Sequence, residues 1–385
     1  MAERVGIVAV AQTKYHPDRG DAFEGELAYE TIKPVLDETG LTFSDDGTGI
    51  DASITCSQDF WDGRTISNTS VMPMVGAHLA DEDKVCEDSI NALYCAVARI
   101  LSGRHDIVLV VSHMKESMAD KSMVENAALD PIFMRQLGFD FLTAAAMQAK
   151  RYMYEYGITA EQCAKVAVKN RGNARNNPFA QEPMDITVED VLGSRILASP
   201  IRLLDTKPIS DGSCAMILAR EDKAKKLTAK PVWILGVSNC YETHYLGERD
   251  LADCDALVSA AGKAYSMAGI TDPLKEINVA EISEEYSYQE LLWMEGLGLC
   301  GRGEAGKLID AGVTHMGGQL PVNPSGGMLS GNPNGVAGMT RVAEAVLQLR
   351  GEAGDRQVPG AKVALAHGVT GVCGQLQGVM ILGNR

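Results

Sequence analysis

Residues 84–111 read Lys-Val-Cys-Glu-Asp-Ser-Ile-Asn-Ala-Leu-Tyr-Cys-Ala-Val-Ala-Arg-Ile-Leu-Ser-Gly-Arg-His-Asp-Ile-Val-Leu-Val-Val. Ile90, Leu93, Tyr94, Val97, Ile100 and Leu101 recur at helical spacing, which predicts a helix over Asp88–Ser102 ending at Gly103. The unbroken apolar run Ile107–Val111 follows at once and reads as a buried strand. Lys84-Val85 before the helix reads as the end of another strand. A strand, a helix and a strand in so short a span mark a sheet covered by helices, an α/β protein.

The same alternation extends in both directions. Val5–Val10 reads as a buried strand with no apolar leader in Met1–Arg4, and Ile54–Cys56 as a short strand. Asp21–Glu38 is an amphipathic helix with Phe23, Leu27, Ile32 and Leu36 on one face. The stretch 115–187 breaks the rhythm: it is Met-rich, with helix signals such as the capping box Thr159–Gln162 and a stop at Asn176-Asn177-Pro178. Strand returns at Ala215–Ala219. Lys230 opens a second cycle, with strands at Val232–Val237, Ile277–Ile282, Lys362–Ala366 and Gly378–Leu382. Its helices are Ala256–Ala268, Tyr288–Leu297 and Gly335–Leu349. The order of elements repeats without sequence identity. Two similar lobes are expected, 1–230 and 231–385, the first carrying a helical excursion at about 115–198.

Composition narrows the function. A net charge of −16 argues against nucleic-acid binding, which needs a basic face for phosphates. The nine cysteines form no Cys-x-x-Cys pair, so neither a disulfide framework nor a structural zinc site is expected, and a reducing, cytoplasmic setting fits. No apolar run reaches the roughly 18 residues of a membrane span.

Three motifs carry chemistry. Cys86 stands where a strand meets a helix; amide N–H groups and the positive end of the helix dipole there favour a thiolate and can hold an oxyanion. Glu87 and Asp88 oppose this by raising the thiol pKa. A buried structural cysteine is the competing reading. The run 322–335, Val-Asn-Pro-Ser-Gly-Gly-Met-Leu-Ser-Gly-Asn-Pro-Asn-Gly, precedes a helix and is too long for a hairpin turn. It reads as a tight loop whose amides approach a ligand, with a plain solvent turn as the alternative. His367 ends an apolar strand before a glycine-rich stretch, where α/β folds place their sites. A hydrogen-bonded structural histidine is equally consistent.

Taken in order, these motifs resemble the thiolase superfamily over nearly the whole chain. The Cys86 frame is similar to the nucleophile loop Val-Cys-x-Ser-Gly-x-x-Ala, with Ala92 at the expected Ala. The stretches Ser199–Asp205, Pro208–Gly212, Leu297–Glu304 and Gln319–Gly327 are similar to the branch holding sterol-carrier-linked and archaeal thiolases. The resemblance implies a duplicated fold, two mixed β-sheet lobes in an α-β-α-β-α layering. It implies acyl-CoA substrates, coenzyme A as cosubstrate with no bound cofactor or metal, and Cys86 as nucleophile. It also implies Ser325, Gly326, Gly327 and Gly331 as a CoA- or acyl-binding loop, a homodimer core, and a small zinc-ribbon/OB-fold partner subunit.

Two departures bear on the site. Asn332 stands where the branch has the His of Gly-His-Pro, and Ser283 to Tyr286 replace His-Asp-x-Phe. Asn332 cannot be a base but can hydrogen-bond an oxyanion. His367 resembles the His of the C-terminal His-Asn-x-Gly-Gly loop and becomes the proton carrier, with Cys373, Ser283 and Tyr286 as further polar candidates. The altered set implies an unusual, bulky acyl group. Two other readings stand: a retro-aldolase subunit acting on a β-hydroxyacyl-CoA with Tyr286 as acid/base, and a non-catalytic scaffold.

Overall fold

The structure, a computed structural model, describes residues 4–44 and 48–385; Met1–Glu3, read as a bare lead-in to the first strand, lies outside the described residues. The strands of the first half are β1 (Val5–Gln12), β2 (Ala52–Cys56), β3 (Asp81–Val85) and β4 (Ile107–Lys115). A small hairpin, β5 (Ile196–Ala198) and β6 (Ile201–Arg202), precedes β7 (Asp211–Arg220). The second half adds β8 (Val232–Tyr241), β9 (Val279–Glu281), β10 (Val363–Thr370) and β11 (Leu376–Gly383).

The strand order repeats between the two halves. The first half runs β3-β2-β4-β7-β1, and the second β9-β10-β11-β8 with Val322 bridging Ala280 outside β9. Numbered within each half, both orders are 3-2-4-5-1. The pairings match too: β2 is parallel to β3 and β4, as β9 is to Val322 and β10. The remaining pairs, β4–β7 and β7–β1, or β10–β11 and β11–β8, are antiparallel. The equivalent edges β1 and β8 meet antiparallel through Gly6–Trp233 and Ile7–Val232. The two expected sheets are therefore joined at a narrow seam into one nine-stranded sheet.

Alternation along the strands sorts the side chains into three apolar layers. Ile107, Leu109 and Val111 face outward onto the helix Glu24–Thr39, where Ala28, Ile32 and Val35 are buried. Val108 and Val110 face inward with Ala364 and Ala366 of β10. Between these inward faces lie the helices Ser89–Leu101 and Ala337–Arg350. Leu365 and Ile381 face the far side, onto Asp255–Ala268 and Ser287–Gly296. This is the α-β-α-β-α layering.

The excursion between β4 and β7 crosses to the second half. Its helices Phe141–Tyr156 and Ala160–Asn173 share that far layer. The Thr159 capping box forms as predicted, with Gln162 N–H donating to Oγ1 at 3.2 Å and Thr159 N–H to Gln162 Oε1 at 3.0 Å. Phe23 departs from expectation. It is the N-cap residue of its helix and is 77% exposed, so the large apolar side chains of the buried face start at Leu27. No helix among the described residues is long and apolar enough to cross a membrane.

The two central helices begin at one point. Asp88, fully buried, accepts Ile90 N–H at 2.9 Å and Gly338 N–H at 3.0 Å, so one carboxylate caps both. Ser89 Oγ accepts Met339 N–H at 2.9 Å. Only glycine fits at 338 and 368, since a methyl group at either would collide with Asp88 Oδ1. Asp88→Ala should therefore lower stability by about 1–3 kcal/mol, as two buried donors lose their acceptor. Urea unfolding checks this; an unchanged midpoint would refute the shared cap.

Candidate active site

Cys86 follows β3 directly and precedes the cap of the central helix. Of the nine cysteines it is the exposed one; Cys56, Cys163, Cys214, Cys254 and Cys373 are buried. The buried-structural reading of Cys86 is thereby excluded. Sequence reasoning put the sulfur itself at the helix terminus, but the structure gives that position to Asp88, two residues on, whose side chain takes the first free amide. Burial pushes the Asp88 pKa up to about 7, opposed by the amides of Ile90 and Gly338. Glu87 turns the other way, its carboxylate taking the Asn91 amide and the Tyr241 hydroxyl. Beneath, Cys56 donates to Glu87 O at 3.2 Å and Gly335 O at 3.6 Å, tying the Cys86 turn to the loop before the second central helix.

Cys86 opens into a cleft of about 270 Å³. Phe60, Trp61, Phe141 and Tyr241 supply aromatic walls, and Gln58, Glu87 and Glu125 polar ones. Thr370, Gly371, Gln375 and Leu376 close it from the β10–β11 turn. The His367 loop thus reaches the cleft as expected, although His367 does not line it.

His367 is wholly buried with both ring nitrogens engaged. Ser283 N–H donates to Nδ1 at 3.3 Å, so the proton sits on Nε2 and goes to Gln377 Oε1 at 2.7 Å. Burial lowers its pKa to about 4, with the Gln377 hydrogen bond opposing. Both nitrogens of this neutral imidazole are thus bonded within the core rather than turned to the cleft. Ser283 belongs to the same unit, its hydroxyl donating to His367 O at 2.8 Å.

The other predicted residues separate by environment. Asn332 is 2% exposed, and its Oδ1 has no hydrogen-bond partner among the described residues. That oxygen is an acceptor, as are the equally unpaired buried amide oxygens of Asn170 and Asn334, and Asn332 does not line the cleft. Cys373 is buried in the apolar cluster of Leu129, Met134 and Leu251, and burial pushes its thiol up to about 12. Tyr286 is stacked on Tyr288, and burial first, then the nearby Glu285 and Glu125, hold its hydroxyl protonated.

Ser325, Gly326, Gly327 and Gly331 are likewise buried and do not line the cleft. Ser325 spends its amide and hydroxyl on Glu281, at 3.0 and 2.6 Å. Glu284 takes Leu329 N–H at 3.3 Å and the Asn323 amide at 3.0 Å. Of the four expected amides, that of Ser325 faces Glu281, while those of Gly326, Gly327 and Gly331 bond within the loop to Asn323 O, Ser325 Oγ and Met328 O.

Sequence reasoning missed Trp61, Tyr241 and Glu125. Each looks like an ordinary surface or core residue until the fold gathers it. The one available signal for Glu125 was its place in the capped helix Lys121–Ala128, four residues after Lys121.

The fold, the duplicated strand order and an exposed cysteine at the central helix define a class. The Thiolase, N-terminal domain profile matches residues 5–222 and the Thiolase C-terminal domain-like profile residues 238–384; the chain belongs to the thiolase family. It is 36% identical over 384 residues to an acetyl-CoA acetyltransferase of Methanothermobacter thermautotrophicus, covering 96% of this chain and 97% of that one. It is 33% identical over 307 residues to the benzoylsuccinyl-CoA thiolase subunit BbsB of Thauera aromatica, covering 76% of each. Among solved structures, the Ltp2-ChsH2(DUF35) aldolase superposes with a TM-score of 0.83 at 25% identity, over 99% of this chain and 98% of that one. The protein is an acyltransferase of the thiolase type, which removes the scaffold reading. Thiolases take coenzyme A as substrate.

The neutral state of His367 is directly testable. Its imidazole NMR signal, assigned by its loss in His367→Gln, should stay flat from about pH 8 to pH 5, where an unperturbed histidine titrates with a midpoint near 6.5. A midpoint near 6.5 would contradict the buried, bonded ring.

Proposed function

We propose that this chain moves acyl groups between coenzyme A thioesters through an acyl-enzyme on Cys86. The supporting observation is the exposed Cys86 sulfur in an aromatic-walled cleft. The thiolate attacks the β-keto carbonyl, the Cα–Cβ bond breaks, and the α-carbon leaves as an enolate that takes a proton. Free coenzyme A then displaces Cys86 and carries off the acyl group. Each attack builds an oxyanion, for which the side-chain Nδ2–H of Asn332 is the candidate donor.

Phe60, Trp61, Phe141 and Tyr241 suit an aromatic acyl group better than an acetyl group. With the BbsB likeness, this favours a substrate of the benzoylsuccinyl-CoA type, thiolysed to benzoyl-CoA and succinyl-CoA. A second reading is retro-aldol cleavage of a β-hydroxyacyl-CoA with Tyr286 as acid/base. It draws on the aldolase likeness and on the absence of histidine from the described cleft lining.

The chain works in a larger assembly, a homodimer core with a small zinc-ribbon/OB-fold subunit. BbsB is named as a subunit, and the aldolase structure pairs Ltp2 with ChsH2(DUF35). The excursion exposes Met123, Ile132, Phe133 and Leu137, each at 64% or more, a patch suited to a partner.

Incubation with benzoyl-CoA should leave a benzoyl thioester on Cys86, seen as a mass adduct. Cys86→Ala should lose essentially all acyl transfer, and Cys86→Ser nearly as much. Asn332→Ala should raise the barrier by about 2.7–4 kcal/mol. If Cys86→Ala keeps full turnover while Tyr286→Phe abolishes it, the retro-aldol reading replaces this one. Light scattering after size exclusion should show a dimer or larger; a fully active monomer would contradict the assembly.

A further inference from the structure

The acyl-enzyme reaction needs a proton carrier, and His367 is sealed in the core. The titratable groups on the cleft wall are Cys86, Glu87, Glu125 and Tyr241. Glu87 and Tyr241 are bonded to each other, and Glu87 also to Asn91. Glu125 is different. It is 3% exposed yet lines the same cleft as Cys86, from the helix Lys121–Ala128. Phe141 N–H holds Oε2 at 3.2 Å, while Oε1 has no hydrogen-bond partner among the described residues and only Lys121 Nζ at 3.6 Å.

Resting on the acyl-enzyme reading, we propose that Glu125 is the general acid/base of the Cys86 cleft. Its carboxylate takes the Cys86 proton as sulfur attacks the carbonyl. It returns that proton to the α-carbon of the departing enolate. It then takes the thiol proton of coenzyme A as that sulfur attacks the acyl-enzyme, and gives it to Cys86 as the acyl group leaves. One proton moves from coenzyme A to the α-carbon over the cycle, and Cys86 and Glu125 end as they began.

The surroundings suit a group that must serve as both acid and base. Burial, with Glu285 and Asp140 nearby, favours the protonated form; Lys121 and the Phe141 amide favour the ionised form. The balance leaves the pKa at about 7. Lys121 is itself held by Glu285 and Glu116 besides Glu125. Tyr286 lies within the same charge cluster.

The test follows two reactions of the full chain: acylation of Cys86 by benzoyl-CoA or acetyl-CoA, read by mass, and thiolysis of benzoylsuccinyl-CoA or acetoacetyl-CoA by coenzyme A. Glu125→Gln keeps the size and the Phe141 contact; it should cut thiolysis roughly 10²–10⁴-fold and erase the rate limb near neutrality. At alkaline pH, where hydroxide can take the thiol proton, acylation should recover while carbon–carbon cleavage stays slow. Lys121→Met should move the limb to higher pH, and this decides the matter if Glu125→Gln fails to fold. Wild-type protein whose Cys86 is acylated by neither thioester sinks the acyl-enzyme reading and this inference with it. Acylation of Cys86 together with an unchanged Glu125→Gln profile, or an unmoved limb in Lys121→Met, overturns the role of Glu125 alone.

Discussion

A single buried carboxylate holds the centre of this protein. The helices Ser89–Leu101 and Ala337–Arg350 bring their N-termini together, and each end carries a partial positive charge and free amide donors. Two such ends facing in an apolar core would repel and leave donors unpaired. Asp88 answers both needs, accepting one amide from each helix, while Ser89 receives Met339. The contact demands closeness, which explains glycine at 338 and 368. Since the helices belong to opposite halves, this cap docks the halves face to face, complementing the narrow β1–β8 seam.

The same device recurs around the loop 322–335. Glu281 pairs with Arg341 and receives Ser325; Glu284 and Glu290 share the amides of Asn170 and Asn323. Lys169 neutralises Glu290 at 2.8 Å, and Lys207 neutralises Glu116, which receives Asn334 N–H at 3.0 Å. Buried ion pairs are weak sources of stability, because desolvation offsets their attraction. Their effect here is specificity of shape: each carboxylate fixes a particular amide of an irregular loop. That loop does not enter the described cleft lining; its end is tied to the Cys86 turn through Cys56, and its Gly335 O receives Cys56 and Ser112.

Much of this was legible in the chain. Strands such as Ile107–Val111, apolar on both faces, and the periodic helix after Cys86 announce a covered sheet, and the Thr159 box announces its helix. β3 was harder to read, because Asp81-Glu82-Asp83-Lys84 is an edge strand with one neighbour and need not be apolar. Cys86 was legible because a strand–cysteine–helix junction is a local feature. The burial of His367 was not legible, because its position on the strand is local but its partners, Ser283 and Gln377, are not. Glu125 was invisible for the same reason. A glutamate on a short helix is ordinary until tertiary packing removes its water and sets it opposite a thiol.

The site itself arises where the duplication fails. In each half the fourth strand turns back into the fifth. In the second half that connection, between β10 and β11, is the short turn 371–375. In the first half, the equivalent connection between β4 and β7 is the excursion 116–210. A symmetric molecule with two short turns would leave the central helix ends open to water. The long insertion instead sends Val124, Glu125, Ala128 and Phe141 over the Cys86 junction, while the short turn supplies Gly371 and Gln375 opposite. Cys86 itself sits on the first half alone; before the second central helix the chain has Asn334 and Gly335. The duplicated scaffold thus places the paired helix ends, and the asymmetric connection supplies the cleft walls and a buried carboxyl beside one of them.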